Sequence, residues 1–142
     1  MAVILDGGKL LDRYYARRAM SLCSSIPFFK LDKVAWGSGY LEIVDGKPSV
    51  IPSLPSAVDS ITGEFARTGA TYRYDPVAKT INVRATIPKG YLPLGVRSEF
   101  TTLYVLDDES GVVAIAVGMP VWMSSDRGLT VEFVIDTARP TI

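Results

Sequence analysis

The sequence predicts an α+β fold, mainly antiparallel β with one N-terminal helix and a short second helical segment. Three observations lead there. The stretch from Arg97 to Gly118 reads as two apolar strands, Phe100 to Leu106 and Val112 to Val117, around the polar turn Asp107-Asp108-Glu109-Ser110-Gly111. Two further stretches alternate apolar and polar residues with a period of two, which marks strands with one buried and one wet face. Apolar residues at offsets of three and four fall chiefly in the N-terminal part and define the helix.

In chain order, Asp6 is expected to cap a helix over about 8–22, with Leu11, Tyr14, Tyr15, Ala19 and Leu22 on its apolar side. Lys9, Arg13 and Arg17 form a basic line on another side. It reads either as a solvated face or as a docking stripe for an acidic partner. Pro27 breaks the helix, and Lys30 to Trp36 follows as a short strand that ends in the turn Gly37-Ser38-Gly39. Four punctuating residues, Gly46, Pro48, Pro52 and Pro55, mark 45–55 as a surface loop. Leu54, Val58, Ile61 and Phe65 recur at helical spacing behind Ser56, and a short helical turn is expected there.

Thr71 to Tyr74, the turn Asp75-Pro76-Val77-Ala78 and Lys79 to Ile87 make a second hairpin, with Ile81, Val83, Ala85 and Ile87 facing the core. The central hairpin turns at Gly111, where a positive φ is expected. Its second strand runs on irregularly past Pro120 to Ser125. A last strand, Leu129 to Asp136, places Leu129, Val131, Phe133 and Ile135 inside. The 142 residues fit one domain, 1–142, with a β-rich body over about 30–137.

Composition excludes several kinds of chemistry. Fifteen basic residues balance fifteen acidic ones, without the basic excess of a nucleic-acid binder. With no histidine, Ser-His and Cys-His nucleophile pairs and histidine metal sites are unavailable within this chain. The single Cys23 forms no intrachain disulfide and is expected to be a buried, inert thiol. No apolar run reaches the roughly 18 to 20 residues of a membrane span. The N-terminus lacks the basic start and cleavage pattern of a signal peptide, so synthesis and retention in the cytoplasm, or in a particle assembled there, are expected.

No pattern selects a catalytic, cofactor-binding or metal-binding residue. Asp6-Gly7-Gly8-Lys9 lacks the glycine spacing and Lys-Ser/Thr ending of a phosphate loop. Ser38 lacks the flanking glycines of a nucleophile elbow. Asp107-Asp108-Glu109 lacks the ligand spacing of a calcium loop. Pairing Glu99 with Asp107 or Asp108 for acid-base work has no support in their spacing, and no enzyme is expected. Glu64-x-x-Arg67 and Arg97-x-Glu99 read as ion pairs within the domain or as contacts to a neighbouring subunit.

Four places, in this order, resemble the N-terminal, baseplate-attaching domain of contractile-tailed phage tail fibres, the tail-collar fibre proteins. They are the Gly8 to Leu22 helix with the Lys33 to Gly39 strand and turn; Ile61, Glu64 and Arg67 ahead of a strand ending Ile87-Pro88; Arg97, Glu99, Leu103-Tyr104, Asp107-Asp108 and Gly111 leading into Val112 to Val117; and the closing Ile135-Asp136-Thr137. Here Ser98 separates the arginine from the glutamate, and Thr101-Thr102 stands where that family has a glycine.

The resemblance implies a virion structural protein that acts without turnover and needs no cofactor. It would attach a tail fibre to the baseplate, or act as a short fibre or adaptor subunit in host adsorption, as a homotrimer. Its partners would be a baseplate protein or a fibre subunit, with no nucleic acid and no membrane insertion. The family continues into a shaft and tip where this sequence stops at Ile142, so a stub or adaptor with 136–142 as its exit is expected. Tyr14, Arg17, Arg18, Trp36 and Tyr40 are the candidate partner contacts, since aromatics and arginines carry much of the energy of protein interfaces. The bland alternative has Tyr14 in the core and the arginines in water. A competing reading is a small-molecule or glycan-binding β-rich module, with Trp36, Tyr40, Tyr91 and Trp122 as stacking surfaces.

Overall fold

Strand β9, Ser98–Asp107, is buried at every position from Phe100 to Asp107, so the sheet that contains it is covered on both faces. The computed structural model describes residues 2–5, 9–23 and 29–136. In order these form β1 (Ala2–Ile4), β2 (Lys9–Leu10), α1 (Asp12–Leu22), β3 (Leu31–Gly37), β4 (Leu41–Val44), β5 (Lys47–Val50), β6 (Ala66–Thr68), β7 (Thr71–Asp75), β8 (Thr80–Ile87), β9, β10 (Val112–Met123) and β11 (Leu129–Asp136). A five-stranded sheet runs β2-β10-β9-β3-β6, a four-stranded sheet runs β1-β11-β8-β7, and β4-β5 pair alone. All pairs are antiparallel except β1 with β11.

One apolar cluster joins the two large sheets. Val34, Trp36, Phe100, Leu103, Val105 and Met123 come from the first, and Val83, Ala85, Ile87, Leu129, Val131, Phe133 and Ile135 from the second. The alternation read in β8 and β11 supplies the second set, because a period of two sends alternate side chains to one face. Trp36 is fully buried, 5.0 Å from the Phe100 ring, and its Nε1 donates to Thr68 Oγ1 at 2.9 Å. Removing about 200 Å² of such a ring from water stabilises by about 5 kcal/mol before entropy is counted. The opposite face of the five-stranded sheet carries Leu11, Ala35, Tyr104, Leu106, Val112 and Ile115, roofed by Tyr40, Leu54, Val58 and Ile61.

That roof is not helical. Residues 51–65 run as bends and turns, which corrects the expected second helical segment. The apolar spacing was read properly as a covering face, but the sheet supplied the partner. Ser56, expected to cap a helix there, instead accepts the Asp12 N–H on its backbone oxygen at 2.8 Å. Phe65 packs in the cluster between the sheets, away from its three supposed helix-mates.

The first helix also starts later than expected. Lys9 and Leu10 pair with Ile115 and Ala114 of β10, and the Leu11 N–H donates to Val113 O at 2.9 Å. Sheet pairing therefore takes the backbone that a helix from residue 8 would have used. The N-cap is Leu11, without a side-chain cap bond, and Asp12 supplies the acidic first turn. The proposed Asp6 cap and Pro27 break lie outside the described residues. Tyr15, Ala19 and Leu22 are exposed, and so is Cys23 just past the helix. The buried thiol and the single apolar helix face are both overturned.

Residues 45–50, expected to belong to a surface loop, instead form the turn and second strand of the β4–β5 hairpin. Asp45 at φ 52° and Gly46 at φ 74° make its two-residue turn, a conformation that favours Gly and tolerates Asp. Pro48 is accepted because the pair stands apart from the larger sheets, where a missing N–H costs little.

Candidate functional site

The densest constellation of charge sits where α1 meets the β9–β10 turn. Arg13 Nε approaches Asp107 Oδ2 at 2.6 Å, and Arg17 NH1 lies 3.0 Å from the same oxygen and 2.6 Å from Asp108 Oδ1. Glu109 closes the group, at 3.3 Å from Arg13 and 3.4 Å from Arg17. Asp107 Oδ1 also accepts the Glu109 and Gly111 N–H groups, each at 2.9 Å. Burial alone would raise the Asp107 carboxyl. The hydrogen bonds from Arg13, the Gly111 amide, Arg17 and the Glu109 amide outweigh burial and hold it below the ordinary carboxylate range.

Gly111 belongs to this group for a reason other than φ. The positive φ of the turn falls on Ser110, at 63°, and not on Gly111 as expected. A Cβ on Gly111 would instead collide with the Arg13 guanidinium. Glycine is required so that the arginine can pass. Lys9, the third member of the basic line, donates to Leu54 O at 2.6 Å. The line is therefore neither a solvated face nor a docking stripe, because it fastens the helix and the roof to the sheet.

Of the five candidate contacts, Tyr14 and Arg17 are 6% and 5% exposed and Trp36 is 0%. These three pack inside the chain's own fold. Arg17 lies over the Phe29 ring at 5.4 Å, and Tyr14 meets the same ring edge-on at 5.5 Å. Burial lowers the Arg17 pKa, but Asp108 and Asp107 more than reverse that and the guanidinium stays charged. Arg18 is exposed, with its guanidinium 5.8 Å from the Tyr14 ring. Tyr40 is half-buried at φ 62° beside Tyr104, and burial followed by Tyr104 pushes its phenol up to about 12.

The remaining paired motifs resolve within the chain. Glu64 and Arg67 form a two-bond ion pair at 2.8 and 2.9 Å. Arg97 does not pair with Glu99 and lies over Trp122, 5.0 Å from the ring centre. Glu99 and Asp107 are eight residues apart on β9, roughly 26 Å for an extended strand, which rules out joint acid-base work. Among the described residues, no group of three or more acidic or cysteine side chains is arranged to hold a metal ion, and no helix is long and apolar enough to cross a membrane. The four proposed stacking rings do not converge: Trp36 is buried, and the groove lined by Trp122 includes neither Tyr40 nor Tyr91.

No family model matches the chain, and no solved structure matches it. It is 32% identical over 110 residues to tail fiber protein R of Escherichia phage P1, with 75% of each chain covered. The chain belongs to the family of tail fiber protein R. As a tail fibre protein it has a structural role in the phage tail and is a virion component, and a structural relative argues against catalysis.

For a tail fibre protein the accessible surface matters more than any cleft. Leu94 is 90% exposed, Val96 41%, Met119 53% and Trp122 48%. Leu94 and Val96 sit in the β8–β9 connection, Met119 within the β10 register shift between Val117 and Val121, and Trp122 just past it. Sequence reasoning singled out Trp122 only as a stacking ring and missed Leu94, Val96 and Met119. The signal was there, since apolar residues beside Pro93 and Pro120 sit where regular pairing is interrupted.

Proposed function

We propose that this tail fibre protein attaches a fibre to the baseplate of a contractile tail, or acts as a short fibre or adaptor subunit in host adsorption. It works by surface complementarity as a homotrimer assembled in the host cytoplasm, and it forms a single domain over 1–142. The observation that carries the reading is the set of exposed apolar side chains Leu94, Val96, Met119 and Trp122 on a chain related to a tail fibre protein. Such side chains gain most by burial against another protein. Of the candidate contacts, Arg18 and the turn bearing Tyr40 remain proposals for partner contact, because they stay accessible or half-accessible.

Light scattering on the purified chain, alone and mixed with the tail proteins encoded beside it, tests the reading. A trimer, or a stable complex with a baseplate or fibre subunit, is the expected result. A monomer that binds none of the tail proteins would sink it.

A further inference from the structure

We propose that the groove lined by Arg97, Trp122 and Arg127 docks an acidic segment of another tail protein, a partner that rests on the structural reading above. In this arrangement Trp122 receives an apolar side chain of that segment, and the two guanidinium groups receive its carboxylates.

Arg13 and Arg17 are bound by the acidic turn, Arg67 by Glu64, and Arg84 by Glu132 at 3.5 Å. Arg97 and Arg127, like Arg18 and Arg73, have no carboxylate within 4.0 Å among the described residues. Arg97 and Arg127 both line one open groove of about 470 Å³, with Trp122 between them. The Arg97 guanidinium is held over the indole, and Arg127 NH1 donates to the Trp122 backbone oxygen at 3.1 Å, which leaves its other donors available. Two planar cations are thus held in place by an aromatic ring and a carbonyl, neither of which neutralises them.

The local charge balance favours an anion. Asp126 is the one carboxylate lining the groove, and its Oδ1 is engaged by Ser124 Oγ. Glu99 lies across from Trp122 in the β9–β10 register and is the other acid nearby. Lys89 adds a third cation, and both Lys89 and Arg127 are near enough to act on Asp126. Three positive groups against two negative ones make a positive site on a chain of zero net charge. Arginine forks suit carboxylates, and arginine with tryptophan makes the strongest kind of interface anchor.

The shape selects a chain segment over a small ligand. Small-molecule sites enclose most of their ligand, whereas this groove is open. A peptide can lie along it, with carboxylates at the arginines and an apolar residue at Trp122.

The probe is phage tails purified from a mutant lacking this chain, and the readout is co-sedimentation of the purified full chain. R97E/R127E should weaken binding at least about tenfold, W122A should weaken it comparably, and R73E, at an exposed arginine elsewhere, should bind as the unaltered chain does. If R97E/R127E melts at a lower temperature, R97Q replaces it, because Arg97 makes no hydrogen bond that holds the fold. Unchanged binding by a folded R97E/R127E or R97Q would overturn the groove and leave the tail role standing. If the unaltered chain does not sediment with tails, the attachment reading falls and the groove with it. Binding to host cells in place of tails, lost in the same variants, would assign the groove to a surface anion and overturn the protein partner.

Discussion

Among the described residues, the Asp107 side chain gathers four polar partners. Its side chain is 0% exposed and takes two ion pairs and two backbone hydrogen bonds. Two charges brought out of water repay the cost only when their geometry is good, and removing one partner strands the other. Asp107→Ala takes from the buried Arg17 one of its two close carboxylates, leaving Asp108 at 2.6 Å, strips Arg13 of its closest one and frees two turn amides, so unfolding by urea should show a loss of about 3 kcal/mol. Asp107→Asn keeps an acceptor for the amides and should cost less. The depressed Asp107 pKa means that its contribution is present at neutral pH and is lost as pH falls through its folded-state value, below the usual carboxylate range. Asp107→Asn should therefore flatten the acid limb of the stability profile. An unchanged acid limb would show that the clamp has no part in acid unfolding.

The element that depends on this residue is the β9–β10 hairpin with α1 docked on its turn. Gly111 permits the docking by leaving room for Arg13. Gly111→Ala should cost about 1–3 kcal/mol by overpacking, and most of that should vanish in an Arg13→Ala background. Equal costs in the two backgrounds would place the strain in the backbone instead. Nothing local in the sequence marks this relation, because Arg13 and Gly111 meet only after the chain has crossed both sheets. The hairpin itself was plain in the sequence. Its strands are β-branched and apolar, and the acidic turn between them is the only polar break.

For the whole molecule, the five-stranded sheet is covered on one face by the second sheet and on the other by the irregular segment 51–65. The roof has few backbone hydrogen bonds of its own and is held by Leu54, Val58 and Ile61, together with Lys9 and the Asp12 amide. Ile61→Asp puts a charge against the apolar cluster that contains Tyr104 and Ile115 and should cost about 2 kcal/mol, with increased binding of a hydrophobic dye as the sheet face is uncovered. Normal stability with no dye binding would show that the roof is dispensable.

The sequence by itself determined β3 and the strands β7 to β11. Alternation in β8 and β11 and unbroken apolar runs in β9 and β10 are local signals, since each side chain's burial follows from which face of its own strand it occupies. The Asp45-Gly46 turn was equally local and should have outweighed the prolines around it. Only the tertiary structure decided the rest. Lys9 and Leu10 became strand because β10 offered them hydrogen bonds. The 54–65 spacing became a roof because a sheet face lay beneath it, and β1 found β11 in parallel across almost the whole length of the chain. The candidate contacts changed places for the same reason. An arginine or a tryptophan in a sequence shows its chemistry but not its depth, and depth is set by neighbours distant along the chain. Arg17 is therefore buried by carboxylates some ninety residues away, while Arg97 and Trp122 remain at the surface.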